Sequence, residues 1–227
     1  MSSEARAAIL EAAERLLVAS EDHDIATRAV CEAAGVTQPV LYRQFGDKKG
    51  LLDALADTGF ERYAARKAEL PESADPVADL RLGWDDHMDW ASANPALYQL
   101  MFVPRPRSRS VARRRVFDLL TKALTRVAAT GGLRAEPRDA AQVVLSANVG
   151  AALNRIAQPE LFDAELSHRM RDTVFASLLE EPAAAGEGGT SAAARQLRAA
   201  LEVTPTEALE PEESALLRRW LERLGRR

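Results

Sequence analysis

The sequence predicts an all-α protein, and three observations carry that prediction. Alanine and leucine dominate the apolar residues, aromatic residues make up only 5% of the chain, and long segments separate the prolines and glycines. Such a composition favours helices, because strands are enriched in β-branched and aromatic residues. With 227 residues, the chain is long enough for one sizeable core and a small appended unit.

The first part of the chain predicts three short helices followed by a long one. Apolar residues at helical spacing indicate a first helix within residues 4–19. Glycine typically ends a helix, threonine or aspartate caps the amides that begin one, and proline is tolerated in a first turn. We therefore expect helices at 28–34, between Thr37 and Gly46, and at 47–68, with Thr27, Thr37 and Asp47 as caps and Gly35 and Gly46 as terminators.

The rest of the chain predicts further helices and one linker. Residues 137–157 are apolar on nearly all sides, which predicts a helix buried between neighbours. Residues 182–194, rich in alanine and glycine, predict a flexible linker. Other helices are expected from Asp75-Pro76 to Ala91, at 96–102, up to Thr130, at 164–180 and near 195–203. A final helix after Pro211 carries an apolar stripe that must pack on the body or a partner: Leu217, Trp220, Leu221 and Leu224.

Charge and cysteine content limit the classes of function. The formal net charge is −4, and residues 1–50 carry six Lys or Arg against eight Asp or Glu, which argues mildly against nucleic acid. Residues 37–49, however, carry three cations against Asp47 alone, so charge permits DNA binding. Cys31 is the only cysteine, so a reducing compartment fits best. No signal-like or membrane-spanning stretch is evident, and we expect a cytoplasmic protein with no membrane partner.

The sequence carries no clear catalytic or metal-binding pattern. His23, His87 and His168 are scattered and show no ligand spacing. Neither a glycine-rich phosphate loop nor a nucleophile–base pair stands out, so no enzyme activity, cofactor or metal is expected. Cys31 is expected at a small buried position, where a redox role is disfavoured.

Residues 26–45 carry the most informative pattern, two short helices joined at Gly35. A miniature core with the first helix would fix the angle between them, so that the second can enter the major groove of DNA. The residues expected in that core are Val30, Cys31, Ala34, Val36, Leu41 and Phe45.

The residues left pointing outward suit a DNA groove. Gln38 can make bidentate hydrogen bonds to adenine, and Arg28 can reach guanine. Pro39 and Val40 offer apolar contacts to a thymine methyl group. Side chains expected to hold phosphates are Thr27, Thr37, Tyr42, Arg43 and Lys48.

These residues resemble the DNA-binding domain of the TetR family of repressors (TetR/AcrR type) over about residues 6–56. The matching elements are an amphipathic first helix, Ala34-Gly35-Val36, Leu41-Tyr42, Phe45, Lys48 and Leu51-Leu52. Two features depart from the family pattern. Residues 21–24 replace the glycine usual after the first helix, and Val40 replaces a frequent hydroxyl residue, which leaves the operator sequence open.

The resemblance implies a dimeric regulator. Together with the helix pattern it predicts a helix-turn-helix domain at 1–46, a helical ligand-binding and dimerisation domain at 47–181, the linker at 182–194 and a helical tail at 195–227. It implies binding to a palindromic double-stranded DNA operator, release by a small-molecule effector, and homodimerisation through residues 137–180. The side chains expected to border the effector pocket are Trp84, His87, Met88, Tyr98, Met101, Phe102, Phe117 and Asn148.

Two other functions stay open at this point. One is a DNA-binding dimer without a ligand, which a solid second core would favour. The other is a helical small-molecule-binding protein or enzyme with an incidental helix-turn-helix, which a cleft with converging polar groups and a covered Gln38–Tyr42 face would favour. Six arginines within residues 105–115 form either a solvated face or a site for an acidic ligand or a second nucleic-acid contact.

Overall fold

The structure, a computed structural model, describes residues 2–20, 24–103, 110–180 and 189–225. These residues are mainly helical, which confirms the all-α prediction, and Leu133 and Leu179 form an isolated antiparallel bridge. The first helices in chain order are α1 (Ser2–Ala19), α2 (Thr27–Ala34), α3 (Gln38–Phe45), α4 (Lys48–Ala68), α5 (Pro76–Ala93) and α6 (Pro95–Phe102). They are followed by α7 (Val111–Ala129), α8 (Pro137–Ala157), α9 (Ala164–Leu178), α10 (Thr190–Val203) and α11 (Pro211–Gly225).

Packing divides the chain into two compact units. Unit 1 comprises Met1–Ala68 and Asp89–Val116, and unit 2 comprises Glu69–Met88 and Phe117–Arg227. Helices α5 and α7 therefore each contribute residues to both units. The domain limits expected from the sequence, including the boundary at residue 46, stay predictions, because a unit defined by packing need not coincide with one defined by function.

Unit 1 is organised around α1 and α4. Helix α1 packs against α2, α3, α4 and α6, and α6 also lies against α4. At this second contact the Phe102 ring meets the rings of Phe60 and Tyr98, with centroids 5.1 and 4.6 Å apart. Gly59 allows the close approach, because a Cβ there would lie 2.7 Å from the sulfur of Met101. The later part of α4 is thus fixed by α6.

Unit 2 contains the packed pair α8 and α9. One face of α8 is buried within the chain, but Val143 is 45% exposed, so the chain by itself covers only part of this helix. The expectation that α8 is buried between neighbours stays a prediction, because it includes a second copy of the chain. The chain leaves α9 after Leu178, two residues before the expected end, because backbone bonds join it to the segment near Leu133. Arg134 N donates to Leu178 O (2.9 Å), and Glu180 N donates to Gly132 O (3.1 Å).

The C-terminal helices α10 and α11 pack on each other within unit 2. Helix α10 begins at Thr190, so the linker prediction is wrong for residues 190–194, where alanines favour a helix after Gly189. Residues 182–188 lie outside the described chain. The predicted stripe of α11 divides between two environments: Leu221 is buried, whereas Trp220 is 52% exposed.

Candidate DNA-binding surface

A glycine turn joins α2 to α3, as the sequence predicts. Gly35 has φ 65° and ψ 31°, a left-handed conformation that L side chains rarely adopt. Around it, Val36 N donates to Cys31 O (3.0 Å), which satisfies a carbonyl at the end of α2. Gly35 therefore sets the direction in which the chain leaves α2.

A small core behind the turn holds the two helices at their angle. Val30, Cys31, Leu41 and Phe45 are buried, and the other two expected core residues are half-buried. The Arg6 guanidinium of α1 lies over the Phe45 ring, 4.5 Å from its centroid. Burial raises the pKa of the Cys31 thiol, which fits a packing role for this residue.

The junction between α3 and α4 depends on Gly50, which the sequence analysis missed. Asp47 caps α4 as expected, because its Oδ1 accepts a bond from Gly50 N (2.6 Å). A Cβ on Gly50 would lie only 1.9 Å from the carbonyl oxygen of Phe45. The signal available in the sequence was a glycine in the first turn of a helix, a position where it weakens the helix unless close packing requires it.

The hydroxyl groups expected to cap α2 and α3 do not do so. Helix α2 begins at Thr27 itself, with Ala26 as the N-cap, so the prediction that Thr27 caps this helix is wrong. The Thr27 hydroxyl instead lies 3.5 Å from that of Tyr42. Thr37 is the N-cap of α3 but its side chain makes no capping bond. Neither helix start is capped by a side chain, which leaves backbone amides of their first turns open to an anion.

The residues expected to contact DNA lie at or near the surface of unit 1. Gln38, Pro39, Thr37 and Arg43 are exposed, and Tyr42 is 43% exposed. The remaining ones are Thr27 and Val40, which are half-buried, and Arg28 and Lys48, which make ion pairs.

Both of these cations are held by acids in the free protein. Arg28 Nε lies 3.0 Å from Glu32 Oε1, one helical turn further along α2. Lys48 Nζ lies 2.5 Å from Asp24 Oδ1. The Lys48 ammonium lowers the pKa of Asp24 by its hydrogen bond and its charge. All four side chains are exposed enough for phosphates to compete with the acids.

Five of the residues expected to border an effector pocket belong to unit 2. The Trp84 indole donates to Ser167 Oγ (2.9 Å) and meets the Phe175 ring edge-on. Asn148 Nδ2 donates to Trp84 O (3.4 Å), while Asn148 Oδ1 is buried without a partner among the described residues. The others are His87 and Met88, which are buried, and Phe117, whose ring centroid lies 5.2 Å from the Arg138 guanidinium.

The other three, Tyr98, Met101 and Phe102, are buried in unit 1, in the contact of α6 with α4. Burial raises the pKa of the Tyr98 phenol well above its ordinary value. Unit 1 also has an open groove of about 510 Å³ with a different lining. Its residues, from α1 and α4, are Arg6, Leu10, Gly50, Asp53, Ala54, Asp57, Thr58 and Glu61.

Within the described ranges, no helix is long and apolar enough to cross a bilayer, and no three His, Cys, Asp or Glu side chains are grouped as metal ligands.

Comparisons with known proteins agree with this architecture. Residues 9–55 match the model for bacterial regulatory proteins of the tetR family, and residues 80–202 match that for the tetracyclin repressor-like C-terminal domain. No curated protein matches the sequence at a significant level.

Solved structures share the fold at low sequence identity. A protein of unknown function from Rhodococcus sp. RHA1 is 25% identical, with a TM-score of 0.63 over 78% of this chain and 96% of that one. SmeT of Stenotrophomonas maltophilia is 23% identical, with a TM-score of 0.60 over 81% and 96%. A TetR-family transcriptional regulator of Pectobacterium atrosepticum is 18% identical, with a TM-score of 0.57 over 80% and 97%.

The second family model alone covers more than half of the chain, and the first covers the glycine turn and both of its helices. This chain therefore belongs to the TetR family and is a DNA-binding transcriptional regulator rather than an enzyme.

Proposed function

We propose that the protein is a homodimeric repressor that reads a palindromic operator with α3 and leaves it when a small molecule binds to the second part of the chain. The observation that carries the DNA-reading part is the exposure of Gln38, Pro39 and Tyr42 on a helix held by a buried core. Polar side chains on a rigid helix are what the major groove requires, because base edges are read by fixed hydrogen-bond patterns.

Each residue of the surface has a proposed role. Gln38 pairs with an adenine and Arg28 with a guanine, while Pro39 and Val40 meet a thymine methyl group. Phosphates are held by the uncapped starts of α2 and α3 together with the side chains of Thr27, Thr37, Tyr42, Arg43 and Lys48. Such a regulator would work in the cytoplasm, where the single Cys31 stays reduced.

A second copy of the chain is proposed to pack on the outer face of α8 and on α9. Val143 is 45% exposed there, and a Cβ on Gly150 would meet no atom within 4 Å, so this face has room for a neighbouring helix. A two-fold axis through the pair would place two copies of α3 on two half-sites of one operator.

An effector site in the second part of the chain is supported by Asn148. Its buried Oδ1 lacks a donor among the described residues, and a buried polar atom without a partner is costly. A small molecule with a hydrogen-bond donor would satisfy it. The repressor role is supported by the family model, whose description is repressor-like, and by SmeT, which is the repressor of a multidrug efflux pump in its own organism.

The test begins with selection of binding sites from random DNA by the purified protein, which should yield two inverted half-sites. Gln38→Ala should then weaken operator binding by about 1–3 kcal/mol and relax the preference at one base pair per half-site. Lys48→Ala should weaken binding to all sequences alike and lower the log–log salt slope by about one unit. Equal binding of operator and random DNA by both variants and the parent would contradict the proposed reading surface.

A further inference from the structure

The start of α7 carries three consecutive arginines that have no partner among the described residues. Arg113, Arg114 and Arg115, here named the arginine cluster, are all exposed, between the buried residues Ala112 and Val116. None of the three side chains makes an ion pair or a hydrogen bond with the described part of the chain. They are therefore free to meet an external anion.

Several other arginines in the described chain are paired with acids. Arg62 pairs with Glu14 at 2.6 Å, Arg126 with Asp79 at 2.7 Å, and Arg171 with Asp85 at 2.7 Å. Asp118 is the nearest acid along the chain, one helical turn after Arg114 and Arg115, but it forms no ion pair with either of them. The three arginines of the cluster, by contrast, make no ion pair with the described part of the chain.

The position of the cluster at the start of α7 is electrostatically unfavourable for its positive charges. Helix α7 begins at Val111, and the backbone N–H of Arg113 donates to Ser110 Oγ (2.9 Å), so the cluster lies within the first five residues. Cations in this part of a helix oppose the positive end of the helix dipole. No acid of the first turn offsets them. Bound anions would relieve this repulsion.

The cluster also decides the charge of the unit that holds the helix-turn-helix. Residues 1–68 carry nine Lys or Arg and eleven Asp or Glu, a net of −2, whereas Asp89–Val116 carries six arginines and one acid. Unit 1 as a whole is therefore +3, and unit 2 is −7. Residues 1–68, which contain the helix-turn-helix, are acidic, so the unit becomes basic only through this second segment. The cluster supplies three of the six arginines in that segment.

We propose that Arg113, Arg114 and Arg115 form a second contact with the DNA phosphate backbone, outside the helix-turn-helix. DNA offers a dense row of phosphates, and arginines bind phosphates without reading bases. A membrane is a poorer fit, because interfacial helices pair their cations with a broad apolar face. Among the described residues next to the cluster, only Val111 is both apolar and exposed. The cluster would strengthen binding to any sequence and leave the choice of operator to α3. This inference rests on DNA binding by the proposed reading surface.

The test is the salt dependence of binding to a random-sequence duplex of about 40 bp, for which nearly all affinity is electrostatic. We compare the full-length protein with Arg113→Gln/Arg114→Gln/Arg115→Gln between about 50 and 200 mM salt. Each phosphate contact contributes about 0.9 to the log–log slope, so the triple variant should lose about two to three units per protomer. Its thermal stability should not fall, because glutamine forms helices well and the repulsion at the helix start is removed.

The matched control is Arg218→Gln/Arg219→Gln/Arg223→Gln, which removes three exposed arginines from α11 in unit 2 that make no ion pair with the described residues. This control should keep the parental slope. An unchanged salt slope in the cluster variant, or an equal loss of slope in both variants, would overturn the proposal. So would a cluster variant that binds DNA like the parent but no longer binds anionic phospholipid vesicles. Failure of the proposed reading surface gives a different result. Either the parent would show no salt-dependent DNA binding, or Gln38→Ala would leave the operator preference unchanged although the cluster variant still showed a lower salt slope.

Discussion

In the free protein, Arg28 and Lys48 form ion pairs with acids of unit 1. Both ion pairs are exposed, so each contributes little to folded stability. In the proposed complex, Arg28 would contact a base edge and Lys48 a phosphate, so Glu32 and Asp24 would have to give up these partners. These acids would then lower DNA affinity, and removing one should raise it.

Glu32→Gln should raise operator affinity about twofold, because an exposed pair one helical turn apart is worth roughly 0.3–0.5 kcal/mol and a negative charge leaves the DNA side. Fluorescence anisotropy with a labelled operator measures the change. Glu11→Gln is the matched control, since Glu11 makes the same kind of exposed pair with Arg15 on α1 (2.7 Å). An equal rise in the control would mean that net charge alone is responsible.

Gly50 is the residue on which the position of α3 depends. Because its Cβ would meet the backbone oxygen of Phe45 rather than a flexible side chain, no rotamer change can make room. Gly50→Ala should lower the free energy of unfolding by about 2–3 kcal/mol and weaken DNA binding, since the end of α3 must shift.

Gly83→Ala provides the comparison for this glycine. Gly83 lies within α5, and a Cβ there meets no atom within 4 Å, so the substitution should stabilise the protein by about 0.5–1 kcal/mol. Chemical denaturation measures both variants. Similar stability of Gly50→Ala and the parent would contradict the assigned contact.

At the scale of the element, α8 carries one buried face and one open face. Ala140, Val144, Asn148 and Ala152 fill the interior of unit 2, while Gly150 lies where a side chain would meet nothing. An isolated chain would tolerate a large residue at Gly150. A helix of a second copy packed closely on it would not.

Gly150→Leu should therefore shift the protein from dimer to monomer while the free energy of unfolding of the chain holds or rises, since leucine forms helices better than glycine. Sedimentation at micromolar concentration separates the two states. Gly83→Leu should remain dimeric. A 24.7 kDa species for the parent itself, or a dimer for Gly150→Leu, would rule out this interface.

At the scale of the whole molecule, the proposed repressor requires coupling between an effector and DNA. Helices α5 and α7 contribute to both units. Helix α6, between them in sequence, packs on the later part of α4, and α4 also contacts α3. An effector that binds more tightly to a conformation in which the two copies of α3 are wrongly spaced for DNA would weaken DNA binding. The size of the effect is set by the difference between its affinities for that conformation and for the DNA-binding conformation. By linkage, operator DNA should weaken effector binding by the same factor.

Asn148→Leu tests the proposed effector site. A compound that releases the parent from its operator should lose that effect, because the acceptor for its donor is gone. Thermal stability should hold or rise, since a buried oxygen without a partner is removed. Calorimetric titration and a DNA-release assay provide the two measurements. Full release of the variant by the same compound would exclude Asn148 as its partner.

The sequence by itself determined the helices and the glycine turn, because these depend on local rules. Gly35, Gly46 and Asp47 act where their backbone preferences predicted, and the spacing of Leu41 and Phe45 predicted their burial. The caps were wrong at Thr27 because a hydroxyl can bond a side chain from another helix as well as its own amides.

Tertiary structure alone decided the features that join distant parts of the chain. Gly50 matters because α3 and α4 approach closely, and no local pattern reports that distance. The predicted pocket residues divide between two units because helical spacing shows that a side chain points inward, but not into which core. Unit 1 has a positive net charge because Asp89–Val116 packs with the helix-turn-helix. This could not be predicted from charge counts along the chain, because charges act through space between segments that are distant in sequence.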